Sequence, residues 1–268
     1  MPDKTAAGDK RQIYLKERLE NDGYSVAVAG EISPEELSAF QKSAAPLLLL
    51  FPIPAGPYLT SAIKEILSEN MIILGGNLPA DFTDFCKDAG ISYIDYMRSE
   101  TIALKNAIAT AEGIIAHAIF KTSKTLHGSK VLITGFGKCG EILAEKLSAL
   151  HAEVSIQTRN PLAKAKAECY GYKLHNSEKY HIYDMIFNTA PATVITKDII
   201  NHLKSDVVIF DIASAPGGVD FSYCAEKGIH AALYPGLPGK IAPETSADII
   251  YQAVKPKLKE ICRQHRYE

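Results

Sequence analysis

Residues 130–140 read Lys-Val-Leu-Ile-Thr-Gly-Phe-Gly-Lys-Cys-Gly, an apolar strand running straight into a Gly-x-Gly-x-x-Gly turn. The amphipathic segment Glu141–Leu150 follows at once. A glycine triplet alone is weak information, but strand before and helix after are the context that gives it meaning. In that context Gly135 permits the tight turn, Gly137 lets backbone approach a pyrophosphate, and Gly140 lets helix and strand pack closely. The helix start then offers free N–H groups and the positive end of its dipole to phosphates. Phe136, Lys138 and Cys139 complete the turn, and the whole run Gly135–Gly140 is expected to hold a dinucleotide.

Working outward, the second half of the chain continues as an α/β unit. Its expected strands are Val131–Thr134, Glu153–Thr158, Met185–Thr189, Val207–Asp211 and Ile229–Leu233, separated by helical segments. This pattern predicts a doubly wound parallel sheet, a Rossmann domain, with ligands at the carboxyl ends of its strands. Pro235–Gly239 is expected to close the domain as a rigid loop, and Ala242–Arg266 to form a last helix interrupted or kinked near Pro256.

The first half also alternates. Helical pattern falls on Arg11–Asn21, Pro34–Ser43, Leu59–Glu69 and Asp81–Ala89, and extended pattern on Tyr24–Ala29, Leu47–Phe51, Met71–Leu74 and Ile91–Asp95. Strands alternating with helices imply parallel βαβ units, here a flavodoxin-like domain. Such a domain normally opens with a strand, yet residues 1–10 are polar; either that strand is missing or the first helix begins the domain. Thr101–Lys121 reads as one long alanine-rich helix. Leu104, Ile108, Ala111, Ile115 and Ile119 form its apolar face, and the small polar face Asn106, Thr110, Gly113 and His117 suits either packing or exposure to an interdomain cleft. The expected division is 1–122, with 242–268 returning to it, and 123–241.

With 47% hydrophobic and 22% charged residues the chain has the composition of a soluble globular protein. A net charge of −2 supplies no basic field to recruit nucleic acid or an anionic membrane. Five scattered cysteines with no Cys-x-x-Cys argue against a disulfide framework or a metal site and for a reducing cytoplasm. The N-terminus has no apolar core of the kind a signal peptide needs, and the apolar run Pro46–Pro54 is too short to span a bilayer.

The end of the second strand of the Rossmann unit separates NAD from NADP. An acid about twenty residues past the glycines would bind the ribose 2′-hydroxyl. Here the strand ends Gln157-Thr-Arg-Asn160 with no acid. Arg159 suits a 2′-phosphate, Thr158 and Asn160 can add neutral bonds, and Lys164 can add charge. The expected cofactor is NADP. Thr189, Ala190 and Pro191 end one strand, Ala213 and Ser214 follow another, and Leu237 and Pro238 lie in the closing loop. Small residues and proline at these rims keep backbone near a cofactor while leaving room for its nicotinamide half.

Five motifs now make a resemblance. Gly8-Asp-Lys-Arg-Gln12, Thr110-Ala-Glu-Gly113, the Gly135–Gly140 turn, Asp211-Ile-Ala-Ser-Ala-Pro-Gly-Gly-Val-Asp-Phe221 and Pro235-Gly-Leu-Pro-Gly-Lys-Ile-Ala-Pro243 are similar, in order, to the dipicolinate synthase A-subunit family. The resemblance implies the mother cell of an endospore-forming bacterium and formation of pyridine-2,6-dicarboxylate from a dihydro- or hydroxytetrahydro-dipicolinate of the lysine pathway. It also implies NADP and a second, flavoprotein-like dipicolinate synthase B-subunit. The expected partners are that B-subunit, a small dicarboxylate substrate and further copies of the chain, with no nucleic acid and no membrane.

Such an oxidation needs hydride transfer, a base for the ring proton, and cations for the carboxylates. Arg98 is the first candidate cation, followed by Arg11 and Lys240. Glu112 is the candidate base, because a carboxylate on a mostly apolar helix would be desolvated; its alternative is a salt-bridged structural role. Thr110 can hydrogen-bond substrate or nicotinamide amide. His117 and His127 titrate near neutrality, but each also suits a structural place, and Cys139 suits a small filler. Two rivals stand. A D-2-hydroxyacid dehydrogenase shares the two-domain plan, but its loop arginine and late histidine have no counterpart in Ser214–Gly218 or Pro235–Lys240. A non-catalytic NADP-binding protein with a regulatory or scaffold role needs no acid–base pair at all.

Overall fold

Four consecutive leucines, Leu47–Leu50, are each at most 1% exposed, because helices cover both faces of the sheet they run through. The structure is a computed structural model that describes residues 9–33, 46–176 and 178–264. The helix expected over Pro34–Ser43 and the chain ends at 1–8 and 265–268 lie outside those residues. Two compact units result: residues up to Asn106 together with Ala242 onward, and Ala107–Ile241.

The first unit runs α1 (Arg11–Asn21), β1 (Ser25–Val28), β2 (Leu47–Leu50), α2 (Ser61–Ile66), β3 (Met71–Gly75), α3 (Ala80–Asp88) and β4 (Ser92–Asp95). Its four parallel strands stand in the order β1-β2-β3-β4. Alternate leucines serve opposite cores: Leu48 and Leu50 join Leu15 and Leu19 of α1, whereas Leu47 and Leu49 join Phe82 and Cys86 of α3. Among the described residues no strand precedes α1, and β1 pairs directly with β2, Ser25 opposite Leu47 through Val28 opposite Leu50. The regular structure described here therefore opens on a helix.

Helix α4 (Glu100–Lys121) starts in the first unit and enters the second at Ala107. The expected boundary at 122/123 thus moves, because Ala111, Ile114, Ile115 and Ala118 are buried in the second unit's core. The expected apolar face is buried only at Ala111 and Ile115. Leu104, Ile108 and Ile119 are 48%, 45% and 54% exposed, while the alanine-rich face is buried. Small residues win that face because they admit close neighbours: a Cβ on Gly113 would lie 2.9 Å from the Ile241 side chain. The helix is long and apolar enough to cross a membrane by composition, but half of its most apolar window is buried inside the protein, as in a core helix.

The second unit continues β5 (Lys130–Thr134), α5 (Lys138–Ala149), β6 (Glu153–Gln157), α6 (Pro161–Cys169), β7 (Lys173–Leu174), β8 (Met185–Asn188), α7 (Lys197–Ile200), β9 (Val208–Asp211), α8 (Phe221–Glu226), β10 (His230–Leu233) and α9 (Leu237–Ile241). All six strands are parallel, in the order β10-β9-β8-β5-β6-β7. Counting from β5, this is the doubly wound 3-2-1-4-5-6 arrangement, whose order reverses between β5 and β8. Val131, Ile133, Phe187 and Phe210 pack on α4 and α5 on one side, and Leu132, Ile186 and Ile209 pack on Ile195, Ile200 and Cys224 on the other. Two elements depart from expectation. Strand β7 is only two residues long, too short to register as a period, and the expected rigid loop Pro235–Gly239 is instead a turn entering α9.

A charge cluster closes the amino-terminal end of this sheet. Lys124 Nζ lies 2.8 Å from both Asp184 and Asp206, Lys204 Nζ lies 2.6 Å from Asp184, and the Lys130 N–H donates to Asp184 at 2.8 Å. Partial burial alone would raise the Asp184 pKa, but these three donors outweigh it and hold the carboxyl well below the usual range.

Helix α10 (Pro243–Gln264) belongs to the first unit and buries Ala247, Ile250, Val254 and Leu258 at helical spacing against α1. Arg18 of α1 pairs with Asp248, which raises its pKa further, and Lys255 pairs with Asp22 at 2.9 Å. The expected interruption at Pro256 is absent. The helix is continuous, and Pro256 lies on its exposed side, where water can satisfy the carbonyl that proline leaves unbonded.

Candidate cofactor site

The three glycines of the turn between β5 and α5 are required for three different reasons. Gly135 has φ +98, and a Cβ there would collide with the Thr189 hydroxyl. Gly140 faces its own turn, and its Cβ would lie 2.5 Å from the Gly135 carbonyl oxygen. Gly137 meets nothing within 4 Å. It caps α5 in an extended conformation, so the open space above it and the first N–H groups of the helix are available to a phosphate.

Beside the turn lies a cavity of about 560 Å³ at the carboxyl ends of β5, β6 and β8. Of the residues expected at a cofactor, Gly135, Thr158, Arg159, Asn160 and Ala190 line it, and so does Lys164. Asn160 has a further duty: its side chain caps α6, accepting from the N–H groups of Leu162 at 2.9 Å and Ala163 at 3.1 Å. Arg159 and Lys164 are exposed and have no acidic partner among the described residues. Two cations without a counterion among the described residues thus line the cavity, and no carboxylate ends β6. The open turn, the helix start and the cavity beside them fit a dinucleotide.

Ile156, Leu174, Val194 and Ile199 add an apolar part to the cavity that sequence reasoning missed. Gln157 and His175 line it too. His175 Nδ1 is 3.0 Å from the Tyr183 hydroxyl, its ring lies 4.2 Å from that of Tyr180, and burial lowers its pKa. Leu174 and His175 sit at the end of β7, so only the missed strand would have brought them to the rim.

Other expected contacts are placed differently. Phe136 is 4% exposed and lies edge-on to Tyr172, and Leu237 is 2% exposed in the same core; their side chains serve packing. Thr189 donates to the Thr134 carbonyl at 3.1 Å and packs on the glycine turn rather than facing outward. Pro191 and Ser214 are exposed, Ala213 is buried, and Pro238 is half-buried on α9. Burial raises the Cys139 thiol pKa despite neighbouring Lys138, in keeping with the filler reading.

The catalytic candidates separate. Glu112 is the main correction: its side chain is 57% exposed and pairs with Lys146 at 3.0 Å, so the desolvation that would make it a base is absent. It lies on the outer side of α4, where a helical turn carries it away from the buried alanines. Thr110 and His117 are half-buried on the same helix, His117 4.6 Å from the ring of Tyr234. His127 is exposed before β5, at the end of the sheet opposite the cavity. In the first unit, Arg98 is 68% exposed in the turn after β4. Its Nε donates to Asp95 at 3.1 Å, which leaves the terminal nitrogens of its guanidinium for another acceptor. The side chain of Asp95 is 4% exposed and also accepts from the N–H groups of Asn77, Leu78 and Met97. Arg11 is buried with Asp9 as its partner, so its charge is already matched, and Lys240 is exposed on α9.

Known proteins share this arrangement. Residues 98–213 match the family described as D-isomer specific 2-hydroxyacid dehydrogenase, NAD binding domain, which supports a nicotinamide cofactor and oxidoreductase ancestry. The dipicolinate synthase A-subunit of Bacillus subtilis (strain 168) is 34% identical over 194 residues, 71% of this chain. The match spans 65% of that protein's own length. A crystal structure of the dipicolinate synthase A-subunit from Bacillus halodurans superposes with a TM-score of 0.80 at 27% identity, covering 94% of this chain and 95% of that one. D-lactate dehydrogenase from Escherichia coli, at 13% identity and a TM-score of 0.64 over 95% of each chain, shares the fold alone. In its ordered motifs, its glycine turn and its doubly wound sheet, the chain is similar to the dipicolinate synthase A-subunits over nearly its whole length.

Proposed function

We propose that this protein is an NADP-dependent oxidoreductase that forms dipicolinate from a dihydro- or hydroxytetrahydro-dipicolinate, working with a flavoprotein-like B-subunit. The observation that carries the cofactor half is Arg159 and Lys164, without an acidic partner among the described residues, at a cavity whose second strand ends without an acid. An NAD-selective site would place a carboxylate there, which would repel a 2′-phosphate. The name of the relatives carries the substrate half.

The residues divide the work by chemistry. The turn Gly135–Gly140 and the start of α5 bind the pyrophosphate; Thr158, Arg159, Asn160 and Lys164 bind the 2′-phosphorylated ribose; Ala190, Pro191, Ala213, Ser214 and Pro238 are rim contacts. Bound nicotinamide supplies a hydride acceptor. Arg98, steadied at Nε by Asp95, binds a substrate carboxylate through its terminal nitrogens. Thr110 offers a hydroxyl to the substrate. The substrate's gain of aromaticity supplies driving force, so the protein needs chiefly to orient the ring and bind its charge.

The exposed, ion-paired state of Glu112 favours one second reading: an NADP-binding protein that needs its partner for the proton transfer. One experiment separates the two. Absorbance at the nicotinamide band is followed with NADP and freshly prepared dihydrodipicolinate, with and without the B-subunit. Reduction by this chain alone supports the full enzyme, and reduction only with the partner supports the second reading. Cofactor binding with no turnover in either condition overturns the oxidoreductase proposal.

A further inference from the structure

Three side chains at the ends of three adjacent strands, on either side of the switch point, form one directional chain of hydrogen bonds. The Thr134 hydroxyl at the end of β5 donates to Asn188 Oδ1 at the end of β8, 2.7 Å away. The amide orientation is fixed by its other partners: Asn188 Nδ2 donates to Asp211 Oδ1 at the end of β9, 2.8 Å away, and to the Ala190 carbonyl at 3.0 Å, while Oδ1 also accepts from the Ala190 N–H at 3.2 Å. Asp211 Oδ1 also accepts from the Ala213 N–H at 2.9 Å, and Oδ2 accepts from the Gly218 N–H at 2.7 Å. Asn188 and Asp211 have no exposed surface and Thr134 is 1% exposed.

Four of these six bonds end on backbone of the rim loops and none on a helix. Asp211 shapes the loop that runs to Gly218. That loop in turn receives the N–H groups of Val194 and Ile195 on the Gly218 carbonyl, at 2.9 Å and 3.0 Å. The fit leaves no room for a side chain: a Cβ on Gly218 would lie 2.5 Å from Asn188 Nδ2 and 2.6 Å from the carbonyls of Ala190 and Ala192. Ala190, Ala192 and Val194 are a wall of the cavity, and Thr134 adjoins the phosphate turn.

We infer that Asp211, acting through Asn188 and the Gly218 loop, is a positioning residue that sets the shape of the cofactor cavity, with Thr134 donating into the chain at its β5 end. The inference rests on the cofactor reading proposed above. Its physical content is that polarity, not volume, is what these positions supply. An asparagine at 211 has nearly the same shape, but one of its two terminal atoms becomes a donor. Placed at Oδ2 it opposes the Gly218 N–H, and placed at Oδ1 it opposes both Ala213 N–H and Asn188 Nδ2, so a rim loop must shift in either orientation.

The test is NADPH titration by fluorescence on the full chain, with thermal midpoints measured in parallel. Asp211→Asn is expected to weaken NADPH binding at least tenfold. Thr134→Val, which keeps shape and loses the donor, is expected to weaken it severalfold with a midpoint close to that of the wild type. Thr134→Ser, which keeps the donor, is expected to restore it to within about threefold. If Asp211→Asn does not fold, the valine and serine variants decide the matter. Wild-type affinity in Asp211→Asn or in Thr134→Val overturns this inference alone. Failure of the wild type to bind any nicotinamide dinucleotide overturns the cofactor reading and this inference with it.

Discussion

Gly137→Ala and Gly140→Ala replace the same hydrogen atom in one turn, yet the structure assigns them opposite outcomes. At Gly140 the new methyl would lie 2.5 Å from the Gly135 carbonyl oxygen and 3.1 Å from its carbon, and backbone cannot rotate away as a side chain can. Overpacking of this kind costs about 1–3 kcal/mol, or roughly 3–10 °C in the melting midpoint of a domain this size. At Gly137 nothing lies within 4 Å and the backbone is extended, so alanine is sterically free. Alanine caps a helix slightly worse than glycine but restricts the unfolded chain, and the two effects, each about 0.5–1 kcal/mol, oppose one another. Stability should therefore hardly change. Binding should change, because the methyl occupies the space through which a pyrophosphate reaches the first N–H groups of α5. Loss of one charge-assisted bond of about 1.5–3 kcal/mol weakens the cofactor roughly 10- to 100-fold. Differential scanning fluorimetry and NADPH fluorescence titration on the same preparations separate the two. A Gly137→Ala protein that binds NADPH as tightly as the wild type would refute the placement of the pyrophosphate.

Four further outcomes follow from the geometry. Arg159→Ala combined with Lys164→Ala should weaken NADPH by roughly 10- to 100-fold and leave NADH within about twofold, since only one cofactor carries the extra phosphate; equal losses for both would sink the NADP assignment. Glu112→Gln should keep turnover, assayed with the B-subunit, within about threefold, because an exposed side chain paired to Lys146 is not a desolvated base; a loss of a hundredfold or more would reinstate it as one. Asp184 has a depressed folded pKa, so its stabilisation is complete above the ordinary value of 3.8 and is lost as the pH falls below it. Urea midpoints of Asp184→Asn should accordingly lie below the wild type at neutral pH and converge with it on acidification below the ordinary value of 3.8. Ile250→Ala, at a site with no exposed surface between α10 and α1, should cost about 2–4 kcal/mol in urea unfolding, whereas Ile119→Ala on an exposed face should cost under about 1 kcal/mol.

Legibility followed the range of the interaction involved. Helix α1 falls on the residues its apolar spacing predicts, and the leucine run and the glycine turn are equally local signals, complete within one segment. The place of Arg159 at the cavity was readable for the same reason: it depends only on its distance from the glycines along the chain. The face of α4 was not. Leu104, Ile108 and Ile119 carry the stronger hydrophobic signal, yet the face with Ala111, Ile114, Ile115 and Ala118 is buried, where Gly113 admits α9, a partner far away in sequence. Glu112 was misread by the same route, since burial on an apolar helix depends on which face turns inward.

The sequence alone determined that a dinucleotide-type turn lies between β5 and α5, that no acid ends β6, and that a long helix joins two α/β units along the chain. Each of these is written in residues adjacent in the chain, where backbone sterics and periodicity operate directly. Tertiary structure alone decided which residues share the cavity. Leu174 and His175 reach its rim through a two-residue strand, and Thr134, Asn188 and Asp211 meet only because β8 and β9 are laid beside β5 across the switch point. Sheet order is set by packing both faces at once, and no single segment carries that information.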